Sequence, residues 1–287
     1  MWQIKLGCSQ FSWARSLKLA LITGLFAFVQ VPQVILAEGI PQRWEATEYQ
    51  PQSGIGKPRR IIGAGTRNTE TSPRNGARRG SSCQFTEQPP LTALVPENGL
   101  GVTVSAQPTF YVYVPARSPQ ATPLQIEFHL KDKNDIDIYQ TSFQTIGKPG
   151  IVAITLPTQA GLLPLEIGQD YKWTFSVGCS VNDRSTDITV GGVVRRVELN
   201  DTLNNQLKQA SRQKQVELYA EAGIWQDALT TLIQLKRENP TDPEVISAWT
   251  KLLSSVDLKD LTQELFVQIP TTSESQLTST QKFYQTP

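Results

Sequence analysis

Between residues 91 and 199 the chain breaks into short apolar or alternating runs, each closed by Pro, Gly, Asn or Asp, with no helical stretch between them. Such a segment can bury its apolar faces only by pairing strands, which confines the middle of the chain to an all-β sandwich. Strands are predicted over 91–95, 102–106, 109–114, 124–131, 137–144, 151–156, 171–179 and 188–199. In the fourth, Ile126, Phe128 and Leu130 share one face while Gln125, Glu127, His129 and Lys131 share the other, so one side meets a core and the other meets water. His129 therefore reads as a surface residue with no His, Cys or paired carboxylate beside it.

In LEIGQDYKWTF, Leu165 stands six residues and Gly168 three residues before Tyr171, which opens a strand. This spacing resembles the tyrosine corner of immunoglobulin-like and fibronectin-like sandwiches, where the Tyr hydroxyl bonds upstream backbone at the crossover between sheets. It makes 171–179 the penultimate strand of a sandwich that spans 83–200.

The first 18 residues carry Lys5, Arg15 and Lys18 and no acid, and an apolar run fills 19–29. Those eleven residues rise about 16 Å as a helix, short of the roughly 30 Å of a bilayer core, so 1–37 is predicted to be a signal peptide removed after Ala37. Cys8 leaves with it. An even pair remains, Cys83 and Cys179, in a chain exported to a compartment where thiols oxidise, and the two are expected to form a disulfide. Closing a loop of nearly a hundred residues stabilises by about 4 to 5 kcal/mol on the chain-entropy model.

Residues 38–82 are expected to be a flexible basic leader. From 51 to 82 there are six Gly, three Pro and seven Lys or Arg against a single Glu70, with no Leu, Val, Phe, Tyr or Trp to bury. Arg59, Arg60, Arg67, Arg74, Arg78 and Arg79 are candidate anion-binding residues for an anionic membrane surface or an acidic polysaccharide. Lys57 is followed by Pro58 rather than Ser or Thr, so the segment is no phosphate loop.

The whole chain has 27 Lys+Arg and 26 Asp+Glu, which gives no reason to expect a nucleic-acid partner. A single histidine excludes His-based triads and two-histidine zinc sites. Two acidic loops, Asp132, Asn134, Asp135 and Asp137, then Asn182, Asp183 and Asp187, suggest calcium, but the first has Asp137 where an EF-hand needs Gly and Phe143 where it needs Glu. The strand assignment puts the loops at opposite ends, so both read as turns. No metal, cofactor or catalytic residue is expected.

After Asn200 and Asp201 the period becomes helical. Leu203, Leu207, Ala210, Leu218 and Ala222 form one stripe, broken by Lys214, and Trp225, Ala228, Leu229, Leu232 and Leu235 a second. Val245, Trp249, Leu252, Leu253 and Val256 form a third, and Leu258, Leu261, Leu265 and Phe266 a fourth. Two helical hairpins over 201–269 are predicted, with a disordered tail over 270–287. Tyr219, Gly223, Trp225, Ala228, Leu232 and Pro240 fall at the offsets of one tetratricopeptide repeat, which they resemble; Arg212 and Val216 depart from it, and no second copy follows.

RRIIGAGTR (59–67), LTALVPENGLG, PTFYVYVP, IEFHLKD, GIVAITLP, LEIGQDYKWTFSVGC and VRRVEL, followed by YAEAGIWQDALTTLIQLKRENP, together resemble the domain-of-unknown-function 928 family of cyanobacteria. The departures are Ala64 within a usual glycine run and Gly192 and Val193 where an aromatic is common. The resemblance implies an exported cyanobacterial protein and brings no activity with it. The expectation is an exported non-enzymatic binding or scaffold module with a protein partner, or alternatively a binder of anionic membrane or acidic glycan.

Overall fold

The computed structural model describes residues 44, 47–53, 83, 85, 89–117, 123–145, 148–158, 162–180 and 183–267. The predicted signal (1–37), the glycine- and arginine-rich stretch from 54 to 82 and the tail from 270 lie outside the described residues. Among the described residues no helix is long and apolar enough to cross a membrane.

Eight strands come first: β1 (Thr92–Ala93), β2 (Leu100–Thr103), β3 (Thr109–Val114), β4 (Gln125–Lys131), β5 (Asp137–Gln144), β6 (Gly150–Thr155), β7 (Asp170–Gly178) and β8 (Ile188–Arg196). Four helices follow, α1 (Asp201–Gln209), α2 (Arg212–Glu221), α3 (Trp225–Glu238) and α4 (Pro243–Ser254), and then β9 (Phe266–Val267). One sheet has the order β1-β3-β6-β9 and the other β2-β8-β7-β4-β5. Both are mixed: β2 runs parallel to β8 and β9 parallel to β6, and the remaining pairs are antiparallel. The chain is thus a two-sheet β body followed by helices.

Alternation along the strands builds the layers. Phe110, Val112 and Val114 of β3 point into the space between the sheets, where they meet Ile126, Phe128 and Leu130 of β4 and Trp173 and Phe175 of β7. Phe110 lies 5.1 Å, centroid to centroid, from both Phe128 and Trp173. Each such fully covered aromatic contributes about 1.5–3 kcal/mol by leaving water. The other face of β3, Tyr111 and Tyr113, joins Leu94 and Ile151 in a second core with Trp225, Leu229, Leu232 and Trp249 of α3 and α4. Because β3 is covered on both sides, its sequence reads as a nearly continuous apolar run, and the helices form a third layer over the four-stranded sheet.

Three expectations are corrected. The helix predicted over 201–222 is interrupted at Ala210, whose ψ of 143° is extended. Ser211 caps a new helix by accepting from the Lys214 amide at 3.2 Å, and the Gln215 side chain donates to the Leu207 carbonyl at 3.0 Å, so the broken ends remain bonded. The fourth stripe is not a helix: Lys259–Leu261 forms one 3₁₀ turn, and Phe266–Val267 extends the sheet as β9. There the Ile151 amide donates to the Leu265 carbonyl at 2.7 Å, and Phe266 packs 5.5 Å from Trp249. The second predicted hairpin, of the third and fourth stripes, therefore does not form, and α4 packs against α3.

The third correction concerns the leader. Residues 47–53 run along the α2–α3 turn and bond carbonyls there: the Gln50 amide donates to Ala220 at 3.0 Å, Gln52 Nε2 to Ala222 at 2.8 Å and Tyr49 Oη to Gly223 at 3.3 Å. The Tyr49 ring meets Trp225 edge-on at 5.1 Å. What segregates these residues from the expected flexible leader is Tyr49 itself, which has apolar surface to bury where 54–82 has little. Gly223 holds φ at +69°, and a Cβ there would lie 2.6 Å from the Gln50 carbonyl oxygen and 2.8 Å from the Gln52 amide.

Gly223→Ala is therefore expected to lower stability by about 1–2 kcal/mol from the left-handed backbone alone, and by more as the strap is displaced. Urea unfolding followed by far-UV circular dichroism checks this; an unchanged midpoint contradicts it.

Candidate functional site

The start of α3 makes four side-chain hydrogen bonds to the β body. Ile224, its N-cap, gives no side-chain cap; instead three consecutive side chains of the first turn bond the β body. Trp225 Nε1 donates to the Leu94 carbonyl at 2.9 Å, and Gln226 Nε2 donates to the Thr109 carbonyl at 3.0 Å. The Asp227 carboxylate accepts from the Thr103 hydroxyl at 2.8 Å and from the Val104 amide at 3.0 Å. The turn thus ties the ends of β1 and β2 to the beginning of β3. Neutral bonds of this kind are worth about 1 kcal/mol each and those to a charged group about 1.5–3 kcal/mol.

Close approach shapes the junction on the sheet side. A Cβ at Gly101 would come 3.1 Å from Gln226 Oε1, so β2 carries a glycine where the buried glutamine passes. That oxygen has no hydrogen-bond partner among the described residues. Desolvation pushes the Asp227 pKa up to about 6 against the pull of its Thr103 and Val104 hydrogen bonds.

Cys83 and Cys179 are joined as a disulfide with a Cα–Cα distance of 4.4 Å across a sequence separation of 96. It fastens the segment ahead of β1 to the end of β7. Arg117 Nε donates to the Cys83 carbonyl at 2.8 Å, and Phe85 bridges Arg117, so the entering chain is held on both sides. Leu165 and Tyr171 are buried, and the Tyr171 hydroxyl accepts from the Glu166 amide at 3.0 Å. Gly168, at φ +79°, donates its amide to the Arg196 carbonyl at 2.7 Å, and Arg196 returns a bond from Nη1 to the Leu165 carbonyl at 2.8 Å. Arg59, Arg60, Arg67, Arg74, Arg78 and Arg79 lie outside the described residues.

The outer face of the five-stranded sheet carries the charge. His129 is not solitary: its Nδ1 lies 3.0 Å from Asp137 Oδ1 and its Nε2 4.0 Å from Glu127 Oε2. The strand period puts Glu127 and His129 two residues apart on one face, and the antiparallel β4–β5 pairing, shifted at Leu130/Lys131, brings Asp137 alongside. Strand reading of β4 by itself found the shared face but not the neighbour across the hairpin. Arg184 Nη1 donates to Glu127 at 2.7 Å and its Nε pairs with Asp187 at 2.8 Å; the bond from Arg184 holds the Glu127 carboxyl below the usual range. Between the charges, Thr174 faces Gly191 and the Ser176 and Thr189 hydroxyls meet at 2.9 Å. Among the described residues no three His, Cys, Asp or Glu side chains converge to hold a metal ion. Asp132, Asn134, Asp135 and Asp137 lie at the opposite end of β4 and β7 from Asp183 and Asp187; Asn182 lies outside the described residues.

A shallow groove of about 490 Å³ lies beside the strap, between Gln50, Gln52, Glu198, Asn200, Leu203 and Glu221. It is open to solvent, and Ser53 also lines it.

A family model, Domain of Unknown Function (DUF928), matches residues 74–266, from ahead of Cys83 to β9. The chain belongs to the DUF928 family. No curated protein and no solved structure matches the chain. The DUF928 span takes in the disulfide, Tyr171, the charged sheet face and the α3 junction, and it leaves out the strap at 47–53.

Asp227 supplies a pH test of the junction. Its folded pKa is above the unfolded value of 3.8, so the stability it adds is complete below about pH 4 and is lost as pH rises through about 6. The stability difference between wild type and Asp227→Asn is expected to change by up to about 3 kcal/mol between pH 4 and pH 7.5, with wild type losing ground as pH rises. Urea titrations of both proteins across that range decide it; a constant difference contradicts the junction's desolvated carboxylate.

Proposed function

We propose that this DUF928 protein is an exported, non-enzymatic binding module that holds another protein of the cell envelope on the outer face of its five-stranded sheet. The observation that carries the reading is the asymmetry of the two sheets. Helices bury the outer side of the four-stranded sheet. The central strands of the other sheet present Glu127, His129, Lys131, Lys172 and Thr174 to solvent in a polar, rigidly registered array. Its carboxylates are engaged by Arg184, Lys131 or Lys172, which suits complementary polar contact better than proton transfer.

Finer readings of the fold accompany this proposal. We read the β body as immunoglobulin-like: β1-β3-β6 opposite β8-β7-β4-β5 corresponds to the A-B-E and G-F-C-C′ sheets of that sandwich, with Tyr171 opening the F strand as a tyrosine corner. Parallel pairing of β2 with β8 fits the second half of a split first strand. The α2–α3 hairpin reads as a single tetratricopeptide-like unit, supported by the left-handed Gly223, the fully buried Ala228 and Pro240 after α3. Lacking a stack of repeats, it serves as a brace on the sheet rather than as a peptide groove. The disulfide and the basic-then-apolar N-terminus support export into an oxidising compartment of a cyanobacterial cell.

A photo-crosslinking amino acid at Thr174 is expected to give a discrete adduct in native envelope, and one at Ser247 on α4 is not. Equal labelling at both positions contradicts the reading. So does salt-dependent binding to phosphatidylglycerol vesicles that disappears when the six leader arginines become serine, because the membrane is then the ligand.

A further inference from the structure

We infer that β5 is a homodimerisation edge, across which two copies of the chain pair antiparallel about a two-fold axis through Thr141. This edge pairing needs no partner on the sheet face. β5 is the outer strand of its sheet, eight residues long, and pairs only with β4 among the described residues. The other outer strands have four residues or two.

A long open edge is ordinarily blunted by Pro, Lys, an inward charge or a short length. None of these interrupts 139–144, and the register shift in the β4–β5 ladder falls at Ile138, outside that run. The one charge, Asp137, sits at the extreme end and is occupied by His129 and Lys131.

The side-chain pattern selects the partner. An antiparallel two-fold pairing keeps each side chain on its own face only if the axis passes through a residue, so the centre is Gln140 or Thr141 within the strand's middle. Phe143, Thr141 and Tyr139 stand opposite Ile126, Phe128 and Leu130, which fixes them on the core side. All three are partly covered, with Tyr139 6.2 Å from Phe128 and Phe143 6.4 Å from Phe175. Through Thr141 the axis sets Tyr139 of each copy opposite Phe143 of the other, so two aromatic pairs cover the half-open end of the core. On the wet face the same axis sets the exposed Gln140 opposite the exposed Ser142, twice. Through Gln140 it would put Asp137 opposite Phe143 and leave both aromatics unpaired. The strand is therefore self-complementary in one register, and the ligand that fits it is a second copy.

Analytical ultracentrifugation of the natively processed protein tests this with two double variants on the wet face. Wild type is expected to sediment as a dimer that dissociates on dilution. Gln140→Lys/Ser142→Lys places like charges opposite each other twice and is expected to weaken the dimer at least about tenfold. Gln140→Lys/Ser142→Glu places opposite charges together and is expected to remain dimeric. Hydrogen exchange gives a second measurement: β5 amides of wild type gain protection as concentration rises. A wild type that is monomeric throughout, a Lys/Lys variant that stays dimeric, a Lys/Glu variant that dissociates, or β5 exchange independent of concentration each overturns the inference.

Discussion

The architecture depends on the first turn of α3, where Trp225, Gln226 and Asp227 bond three separate segments of the β body. Helix starts normally satisfy their free amides with a capping side chain, and this one spends its side chains on the sheets instead. The geometry is restrictive. Gly101 must stay small for Gln226 to pass, and Asp227 must give up water to reach Thr103 and Val104. Once this turn is seated, the rest of α3 lies along Tyr111, Tyr113 and Ile151, and α4 and α2 follow onto the same core.

Two further fasteners act at other ends of the molecule. The disulfide holds the incoming chain to the end of β7, and the bonds between Leu165, Gly168 and Arg196 hold the opposite end of that strand to β8. Between them β7 runs fully registered against β4 and β8. The exposed sheet face is therefore built on strands in continuous register and fastened at both ends of β7.

Much of this was legible in the residues. Alternation in IEFHLK gave β4 its two faces, and the spacing of Leu165, Gly168 and Tyr171 marked the start of β7, where the Tyr171 hydroxyl bonds backbone. The run FYVYV announced a strand but not that Tyr111 and Tyr113 would lie under helices, because a doubly buried strand looks the same whatever covers it. The first stripe is broken at Lys214, yet Ser211 gives no separate sign that it ends one helix and caps the next, since apolar residues resume on either side of the two-residue break. Phe266 and Val267 are too short a run to signal a strand and became one only because β6 offered an edge. Asp227 was hidden for a different reason: an acid in a first turn is ordinary, and its meaning comes from Thr103, over a hundred residues away. The contact of His129 with Asp137 likewise depends on a hairpin register that β4 does not encode.

The central claim is that α3 welds helices and sheets into one cooperative body. Native-state hydrogen exchange in increasing denaturant measures this directly, by comparing the Leu232 amide in α3 with the Val177 amide in β7. The account predicts that both open together in a single global unfolding with the same denaturant dependence. Opening of Leu232 at lower free energy while Val177 stays protected would mean that the helices are an independent annex.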